Sequence, residues 1–434
     1  MGLQWLGRWC KIEAAEARGV LLGFLVLFSL FTAYFMLRPV RETMGVVGGV
    51  SQLQWLFTAT FVTTLLILPV VGWVMAHGRR RYLGHYVLVF FASNMVGFAV
   101  AFMYWAESVW LARIFFVWLS VFNLTAISLV WSVLADVFST AQSKRAFALM
   151  AAGASLGGLF GPALAAMLVQ PFGHFGLMVL AGLWLLLAVA FLEALQRWRE
   201  GLAKRAPLPQ AEDRQRALGG GALAGVRLLW RSPLLLGIAV FVMLLASVNT
   251  FLYFEQARWV AAYFDDRLAQ TQFFALIDMV VQGLSLLIQC FLTARIAAFF
   301  GLRALLLSVP ILMVLGFVLL AVAPVFMVFV VVMVARRVGE YALVRPGREM
   351  LFTLVPVEAK YKAKNAIDTA VYRGADAVSG WLKSAADALF GSALAPVVGA
   401  FLALAWAASA WGVTRPQDKA WADQAEATKE EPPP

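Results

Sequence analysis

Long apolar stretches dominate this chain and restrict how it can fold. Apolar residues make up 62% of its 434 residues, whereas only 14% are charged. Soluble globular domains are closer to half apolar and a quarter charged, so one core cannot bury this surplus of apolar side chains. A helix needs roughly 20 apolar residues to cross a bilayer, and the sequence holds about twelve such stretches. We therefore predict an all-α polytopic membrane protein.

The predicted spans form two groups of six. They lie near 19–40, 53–76, 84–105, 109–134, 146–169, 174–195, 233–257, 269–292, 304–323, 325–354, 366–390 and 391–413. We predict five regions: an N-terminal segment 1–18, a six-helix bundle 19–195, a polar linker 196–232, a second six-helix bundle 233–413 and a tail 414–434. Two six-helix halves joined by a linker resemble the pseudo-symmetric plan of major facilitator transporters.

The distribution of basic residues predicts the orientation in the membrane. The formal net charge is +11, and 24 of the 35 Lys and Arg residues lie in segments that are cytoplasmic if the N-terminus is inside. The outer loops proper hold only Arg258 and Arg267. Basic residues stay on the side that requires no translocation. We therefore expect cytoplasmic termini in the cell inner (plasma) membrane, and we attribute the charge to topology and not to nucleic-acid binding.

Several classes of function lack the residues they need. Two cysteines far apart, Cys10 and Cys290, and three scattered histidines provide neither a disulfide framework nor a metal-ligand cluster. The sequence contains no GxSxG, HExxH, CxxC or Walker GxxxxGK[ST] motif. We therefore expect no enzyme activity, no metal and no cofactor. Charges spread over several spans favour an alternating-access cavity over the ring of charges expected in a channel.

The tenth predicted span carries charge at membrane depth. Ten apolar residues, Val325–Val334, precede Arg336 and Arg337, which places both arginines roughly 17 Å into the bilayer. Pairs at i,i+4 spacing could neutralise part of this charge on one helix face: Arg336 with Glu340, and Arg345 with Glu349. The arginines that acids of the same helix leave unbalanced are expected to point toward a cavity or a neighbouring helix: Arg337, Arg345 and Arg348.

Other spans carry polar stripes. In the eleventh span, Asp376, Ser379, Lys383 and Asp387 recur every three or four residues, with Arg373 one turn earlier. Similar groups occur in the eighth span (Asp278, Gln282, Ser285, Gln289), the first (Tyr34, Arg38, Arg41, Glu42) and the seventh (Asn249, Tyr253, Glu255, Arg258). Such stripes face either a cavity or a neighbouring helix, since polar side chains also join helices in membranes.

These charges predict the functional site, because a charged side chain at the bilayer centre costs roughly 2.5 to 3.5 kcal/mol on insertion scales. Guanidinium groups hold phosphate or carboxylate bidentately, so we expect an anionic substrate. The predicted substrate-binding residues are Tyr34, Arg38, Arg41, Arg336, Arg337, Arg345, Arg373 and Lys383. The predicted coupling residues, which would exchange protons, are Glu255, Asp278, Glu340, Asp368 and Asp376. The alternative is that these residues form structural ion pairs, such as Asp376 with Arg373 or Lys383.

Three strings resemble the ATP/ADP translocase family, the nucleotide exchangers of plastids and intracellular bacteria. They are Leu37–Glu42 (LRPVRE), Tyr361–Asp368 (YKAKNAID) and, for the wider facilitator-like relatives, Lys144–Pro162. The resemblance implies the twelve-helix fold and an exchange mechanism, with the first-span lysine of that family replaced by Arg41. The family's later membrane lysine falls at Asp376, so the sign of the charge is inverted there.

We interpret the chain as a divergent relative with another substrate. The leading hypothesis is a monomeric secondary transporter that moves an organic anion by proton coupling or by exchange. One alternative is a true nucleotide exchanger of the ATP/ADP type. Another is a non-transporting membrane receptor or scaffold, although charges on five separate spans have no evident use in a scaffold.

Overall fold

A computed structural model describes residues 14–77, 80–138, 140–205, 228–230, 232–353, 355, 363–391 and 394–430. Parts of the predicted N-terminal segment, linker and tail therefore lie outside the described residues. The first two residues of the YKAKNAID string, Tyr361 and Lys362, also lie outside them. The described residues are almost entirely helical and contain no strand. The predicted all-α fold class is confirmed.

The helices follow the order of the predicted spans. We number them α1 (Ala14–Val47), α2 (Leu53–His77), α3 (Arg80–Tyr104), α4 (Val109–Val137), α5 and α6 (the two parts of Thr140–Arg205), α7 (Pro233–Tyr263), α8 (Arg267–Ile288, continued by Gln289–Thr293), α9 (within Ala294–Val322), α10 (Phe326–Gly339, Glu340–Val344 and Arg345–Phe352), α11 (363–390) and α12 (Ala395–Glu430).

Two glycines separate helices that otherwise run on continuously. Gly173 has a φ of 61° and separates α5 from α6, and Gly301 has a φ of 73° and separates α8 from α9. Both lie in the left-handed region of φ, which glycine adopts without the steric penalty that other residues meet there. Each glycine therefore turns one helix more than 50 residues long into two passes of membrane length.

Eight helices of the described part of the chain are long and apolar enough to cross a membrane. Two of them, 146–202 and 267–322, are the long helices that contain these glycine breaks. The charged helices α10 and α11 complete the twelve passes. Below, "outer" and "inner" follow the orientation predicted from the basic residues.

The chain divides into two compact units. The first comprises the described residues of Met1–Gln52, Val62–Gln215 and Val260–Gly283. The second comprises those of Leu53–Phe61, Arg216–Trp259 and Leu284–Pro434. The first part of α8 thus belongs to the unit that contains α1 and α5, and the first part of α2 belongs to the unit that contains α7 and α11.

Glycines allow α5 to approach α1 closely in the first unit. A Cβ atom at Gly153 would lie 2.4 Å from the Phe24 carbonyl oxygen, and one at Gly157 would lie 2.4 Å from that of Phe28. Real side chains do not tolerate such distances, so the two backbones pack at a separation that only glycine permits.

Candidate functional site

A widened turn in α10 brings one carboxylate between two arginines. Residues Glu340–Val344 form a π-helical turn, in which the Arg345 N–H donates to the Glu340 carbonyl five residues earlier. Arg336 Nη1 donates to Glu340 Oε2 at 2.9 Å, and Arg345 Nη2 donates to Glu340 Oε1 at 3.3 Å. Glu340 therefore holds one guanidinium on each side of the widened turn.

This arrangement corrects the pairing inferred from regular helical spacing. On a regular α-helix, residues five apart are rotated by about 140°, so the sequence suggested that Arg345 pairs with Glu349 four residues later. The π-helical turn adds a residue to the turn and brings Arg345 back to the face of Glu340. Glu349 instead accepts from Lys364 Nζ at 2.6 Å.

The same group of side chains has an excess of positive charge. Arg336, Arg337 and Glu340 are all buried, whereas 57% of the Arg345 side chain is exposed. The Arg345 guanidinium also lies over the Tyr341 ring, 4.3 Å from its centroid. The three side chains Arg336, Glu340 and Arg345, here called the α10 cluster, carry a formal charge of +1.

Asp376 of α11 lies between a hydroxyl and a guanidinium. Thr250 Oγ1 of α7 donates to Asp376 Oδ1 at 3.0 Å, and Arg373 Nη1 lies 3.5 Å from Asp376 Oδ2. Asp376 is buried, and 25% of the Arg373 side chain is exposed. One turn away, the Asn249 side-chain amide donates to the Tyr372 hydroxyl at 3.1 Å. Asn249 belongs to the polar group predicted in the seventh span, whereas Thr250 was not singled out, and the contacts of neither residue were predicted.

Lys383 lies in a balanced group of charges toward the outer end of α7 and α11. Its Nζ lies 3.0 Å from Glu255 Oε1 and also contacts the Asp387 carboxylate, while only 1% of its side chain is exposed. Arg258 contacts the other oxygen of Glu255. These four side chains sum to zero formal charge. Lys383 is therefore already neutralised by carboxylates, which argues against its predicted role in binding substrate.

A third balanced group lies toward the inner end of α10 and α11. Arg348 Nη1 lies 2.8 Å from Asp368 Oδ1, and Arg348 also approaches Glu349 at 3.8 Å. With Lys364, this group again contains two basic and two acidic side chains. Arg348, predicted to lack an acid in its own helix, thus pairs mainly with α11. The carboxylate of Asp368 has an ion-pair partner here.

In the other unit, an ion pair joins residues that are distant in sequence. Arg38 Nη1 of α1 lies 3.2 Å from Asp278 Oδ1 of α8, and 2% of the Asp278 side chain is exposed. The Arg38 guanidinium also lies 5.8 Å from the centroid of the Phe35 ring. The sequence analysis predicted a functional role for both charged residues but not a contact between them.

The remaining predicted residues of α1 have local partners. Arg41 Nη1 lies 3.0 Å from Glu42 Oε1, and Arg41 Nε donates to Ser120 Oγ of α4 at 3.1 Å. The Arg41 guanidinium stacks on the Phe116 ring at 4.1 Å. Tyr34 is buried, with its ring against Phe35. Within the first unit, the predicted residues thus form two groups of contacts, one at Arg38 and one at Arg41.

The helices and their apolar lengths define a multi-pass membrane protein, and the family that its sequence matches puts it in the transporter class. Residues 20–346 match the Major Facilitator Superfamily, so the chain belongs to that family. Members of this class are transporters and not enzymes. No curated protein matches the chain in sequence.

Solved transporters share this fold at low sequence identity. The nucleoside transporter NupG (D323A mutant) matches with a TM-score of 0.63 at 12% identity, covering 92% of this chain and 99% of its own. The human organic anion transporter MFSD10 (TETRAN) matches with a TM-score of 0.57 at 18% identity, covering 92% of this chain and 100% of its own. A bacterial homologue of the human lysosomal transporter Spinster matches with a TM-score of 0.59 at 12% identity, covering 93% of this chain and 98% of its own. At these identities the similarity supports the fold alone.

Proposed function

We propose that this membrane transporter moves an organic anion, a metabolite that bears phosphate or carboxylate, by alternating access. The observation that carries the proposal is the charge of the α10 cluster. Two guanidinium groups, those of Arg336 and Arg345, contact one carboxylate there, and the half-exposed Arg345 is accessible to a ligand. Burying such an excess of charge is unfavourable unless an opposite charge arrives.

The neighbouring charged groups strengthen this argument by contrast. The Lys383 group, the Arg348 group and the Arg373–Asp376 pair each contain as many acids as bases. These groups need no ligand to balance them. An anion would therefore gain most from the α10 cluster, where guanidinium groups offer bidentate donors.

We propose Asp376 as the coupling residue. Its two oxygens have different partners, a hydroxyl and a half-buried guanidinium, so protonation of one oxygen would release Arg373. Arg373 would then be available to the anion. Proton coupling and exchange of two anions both use this arrangement, and they differ in whether a pH gradient drives uptake. The carboxylates of Asp278, Glu255, Glu340 and Asp368 lie 3.2, 3.0, 2.9 and 2.8 Å from a basic nitrogen, closer than Asp376 lies to Arg373 at 3.5 Å, which makes them weaker candidates.

The experiment is uptake into proteoliposomes, preceded by a ligand screen. Phosphorylated and carboxylated metabolites are screened for those that raise the melting temperature of the purified chain. The best ligand is then tested for uptake by the wild type, Arg345→Ala, Asp376→Asn and a control, Arg295→Ala, which removes an exposed arginine outside the charged groups. We expect loss of uptake in the first two variants only. Wild-type uptake in both would remove the site assignment.

Nucleotide exchange is the second candidate, and the positive charge of Arg41 in the LRPVRE string supports it. Uptake of labelled ATP that is competed by ADP would favour this function over the first. The inverted charge at Asp376 argues against it, because a phosphate-binding cation is replaced by a carboxylate. A receptor or scaffold would instead show no flux with any compound and would co-purify with a partner protein.

We further propose a cell inner (plasma) membrane location with both termini in the cytoplasm, and a monomeric state. The excess of basic residues on one side supports this orientation. Reporter fusions that are active only in the cytoplasm test it at each terminus. Activity at both termini is expected, and inactivity at either would contradict the orientation.

A further inference from the structure

The widened turn of α10 leaves two backbone carbonyls without their usual helical donors. In a regular helix the Tyr341 carbonyl accepts from the N–H of Arg345, but that N–H donates to Glu340 here. The Ala342 carbonyl would accept from residue 346, which is Pro346 and has no N–H. Carbonyls without a donor are costly inside a membrane, because lipid offers no hydrogen-bond donor, so these two groups need other partners.

Two side chains of α8 supply the missing hydrogen bonds. Gln289 Nε2 donates to the Tyr341 carbonyl at 2.8 Å, and Thr293 Oγ1 donates to the Ala342 carbonyl at 2.8 Å. The Thr293 hydroxyl also lies 3.2 Å from the Ile288 carbonyl of its own helix. Since a hydroxyl has one proton, the shorter distance favours the bond to Ala342. The bonded carbonyls are the same two that the turn deprives of donors.

The widened turn is also what gives Glu340 its second arginine. Without the extra residue in the turn, Arg345 would lie about 140° around the helix from Glu340 and could not share its carboxylate. π-Helical turns inside longer helices are rare and occur frequently at functional sites. The geometry of the α10 cluster therefore depends on side chains from another helix.

We infer that Gln289 and Thr293 are positioning residues for the anion site: they replace the two absent backbone donors and so hold Arg345 on the same face as Arg336 and Glu340. The part of this inference that concerns the anion rests on the function proposed above. The part that concerns the turn stands on the backbone alone. The two parts make separate predictions and can fail separately.

The first measurement tests the turn without any transport substrate. Arg345→Cys is introduced with Cys10→Ser and Cys290→Ser, and its labelling rate is measured with an anionic methanethiosulfonate. Thr293→Val removes the hydroxyl at nearly constant volume, and Thr293→Ser keeps it. We expect labelling to slow by about tenfold in the valine variant, the equivalent of about 1.4 kcal/mol, and to stay near the parent rate in the serine variant.

Two further variants check that the effect arises from the hydrogen bond. Gln289→Met should slow labelling as Thr293→Val does, because it removes the other donor. Ser308→Ala removes a hydroxyl that bonds only within α9, to the Leu305 carbonyl, and should leave the rate unchanged. Adding Pro346→Ala to Thr293→Val restores an N–H opposite the Ala342 carbonyl and should recover much of the lost rate. Equal labelling in all variants would overturn the inference.

The second measurement tests the link to the anion, with Arg345 in place. Inorganic pyrophosphate and citrate are titrated against the melting temperature of the purified full chain. We expect Thr293→Val to weaken the apparent affinity about tenfold and Thr293→Ser to weaken it less than about twofold. Altered labelling with unchanged affinity would overturn the positioning role.

The two measurements also separate this inference from the proposed function. If neither probe stabilises the wild type, the proposal of an anion site at α10 fails. Labelling then still decides whether Gln289 and Thr293 hold the turn: slower labelling in Thr293→Val supports that assignment, and an unchanged rate overturns it. If Thr293→Val does not fold, Gln289→Met takes its place, because it tests the same turn through the Tyr341 carbonyl.

Discussion

The hydroxyl oxygens of Thr43 in α1 and Thr271 in α8 lie 2.7 Å apart, although 228 positions separate them in sequence. Both side chains are fully buried. His174 Nε2, just after the Gly173 break, lies 2.9 Å from the same Thr271 oxygen. This hydrogen-bonded group joins α8 to α1 and to the start of α6 at the outer end of the first unit.

A cross-link between α1 and α8 is expected to stop transport. Thr43→Cys and Thr271→Cys, combined with Cys10→Ser and Cys290→Ser, place two thiols where the hydroxyls meet. If α8 must move away from α1 during alternating access, oxidation will abolish uptake and reduction will restore it. Uptake is measured in proteoliposomes, and loss of both free thiols confirms the bond. Each single cysteine serves as a control. Full uptake with the bond formed would show that this contact persists through the cycle.

Removing one charge of the Arg38–Asp278 pair is expected to destabilise the protein more than removing both charges. Asp278→Asn leaves the partly buried Arg38 guanidinium without its counter-charge, at a cost of about 3 kcal/mol. Arg38→Gln with Asp278→Asn replaces the ion pair by neutral amides and should recover more than half of that loss. A double-mutant cycle on thermal unfolding of the purified protein measures the coupling. Additive effects of the two changes would contradict the ion pair.

Lys383 is expected to be structural, since two carboxylates surround its buried ammonium group. Lys383→Met leaves Glu255 and Asp387 without this charge between them and should lower the free energy of unfolding by about 3 to 5 kcal/mol. Adding Glu255→Gln removes one negative charge and should restore part of that loss. Thermal unfolding tests both variants. If Lys383→Met keeps its stability but loses ligand binding, Lys383 contacts the substrate as first predicted.

The close packing of α1 on α5 predicts opposite effects for two glycine-to-alanine changes. Gly157→Ala places a methyl group against the Phe28 carbonyl and should destabilise the protein by about 1 to 3 kcal/mol. Gly97→Ala, in α3, meets no atom within 4 Å and should stabilise its helix by up to about 1 kcal/mol. Thermal unfolding compares the two. Similar effects at both positions would show that the approach of α1 to α5 is looser than described.

The sequence predicted the helices and their polarity well because these features are local. Apolar runs of membrane length identify most spans, and the gaps predicted between 169 and 174 and between 292 and 304 contain Gly173 and Gly301, where the structure interrupts the long helices. The stripe of α11 was also visible, since Asp376, Lys383 and Asp387 recur at helical spacing. What could not be read locally was which residues meet: Arg38 pairs with Asp278 at a separation of 240 positions.

The α10 cluster shows where local reasoning fails. Helical periodicity assumes 3.6 residues per turn, so it paired Arg345 with Glu349 and missed Glu340. Pro346 has no N–H to donate, but a proline in the sequence does not say how a helix will compensate for the missing donor. That outcome depended on Gln289 and Thr293, which belong to another helix.

The amino-acid sequence by itself determined that this chain must be a bundle of membrane helices with charge in its interior, because hydropathy and helical period act over neighbouring residues. Only the tertiary structure decided which charges cancel and which remain. Lys383 is neutralised, whereas the α10 cluster of Arg336, Glu340 and Arg345 keeps one positive charge in excess. The physical reason is that an ion pair forms over about 3 Å in space, and sequence distance carries no information about that separation once the chain has folded.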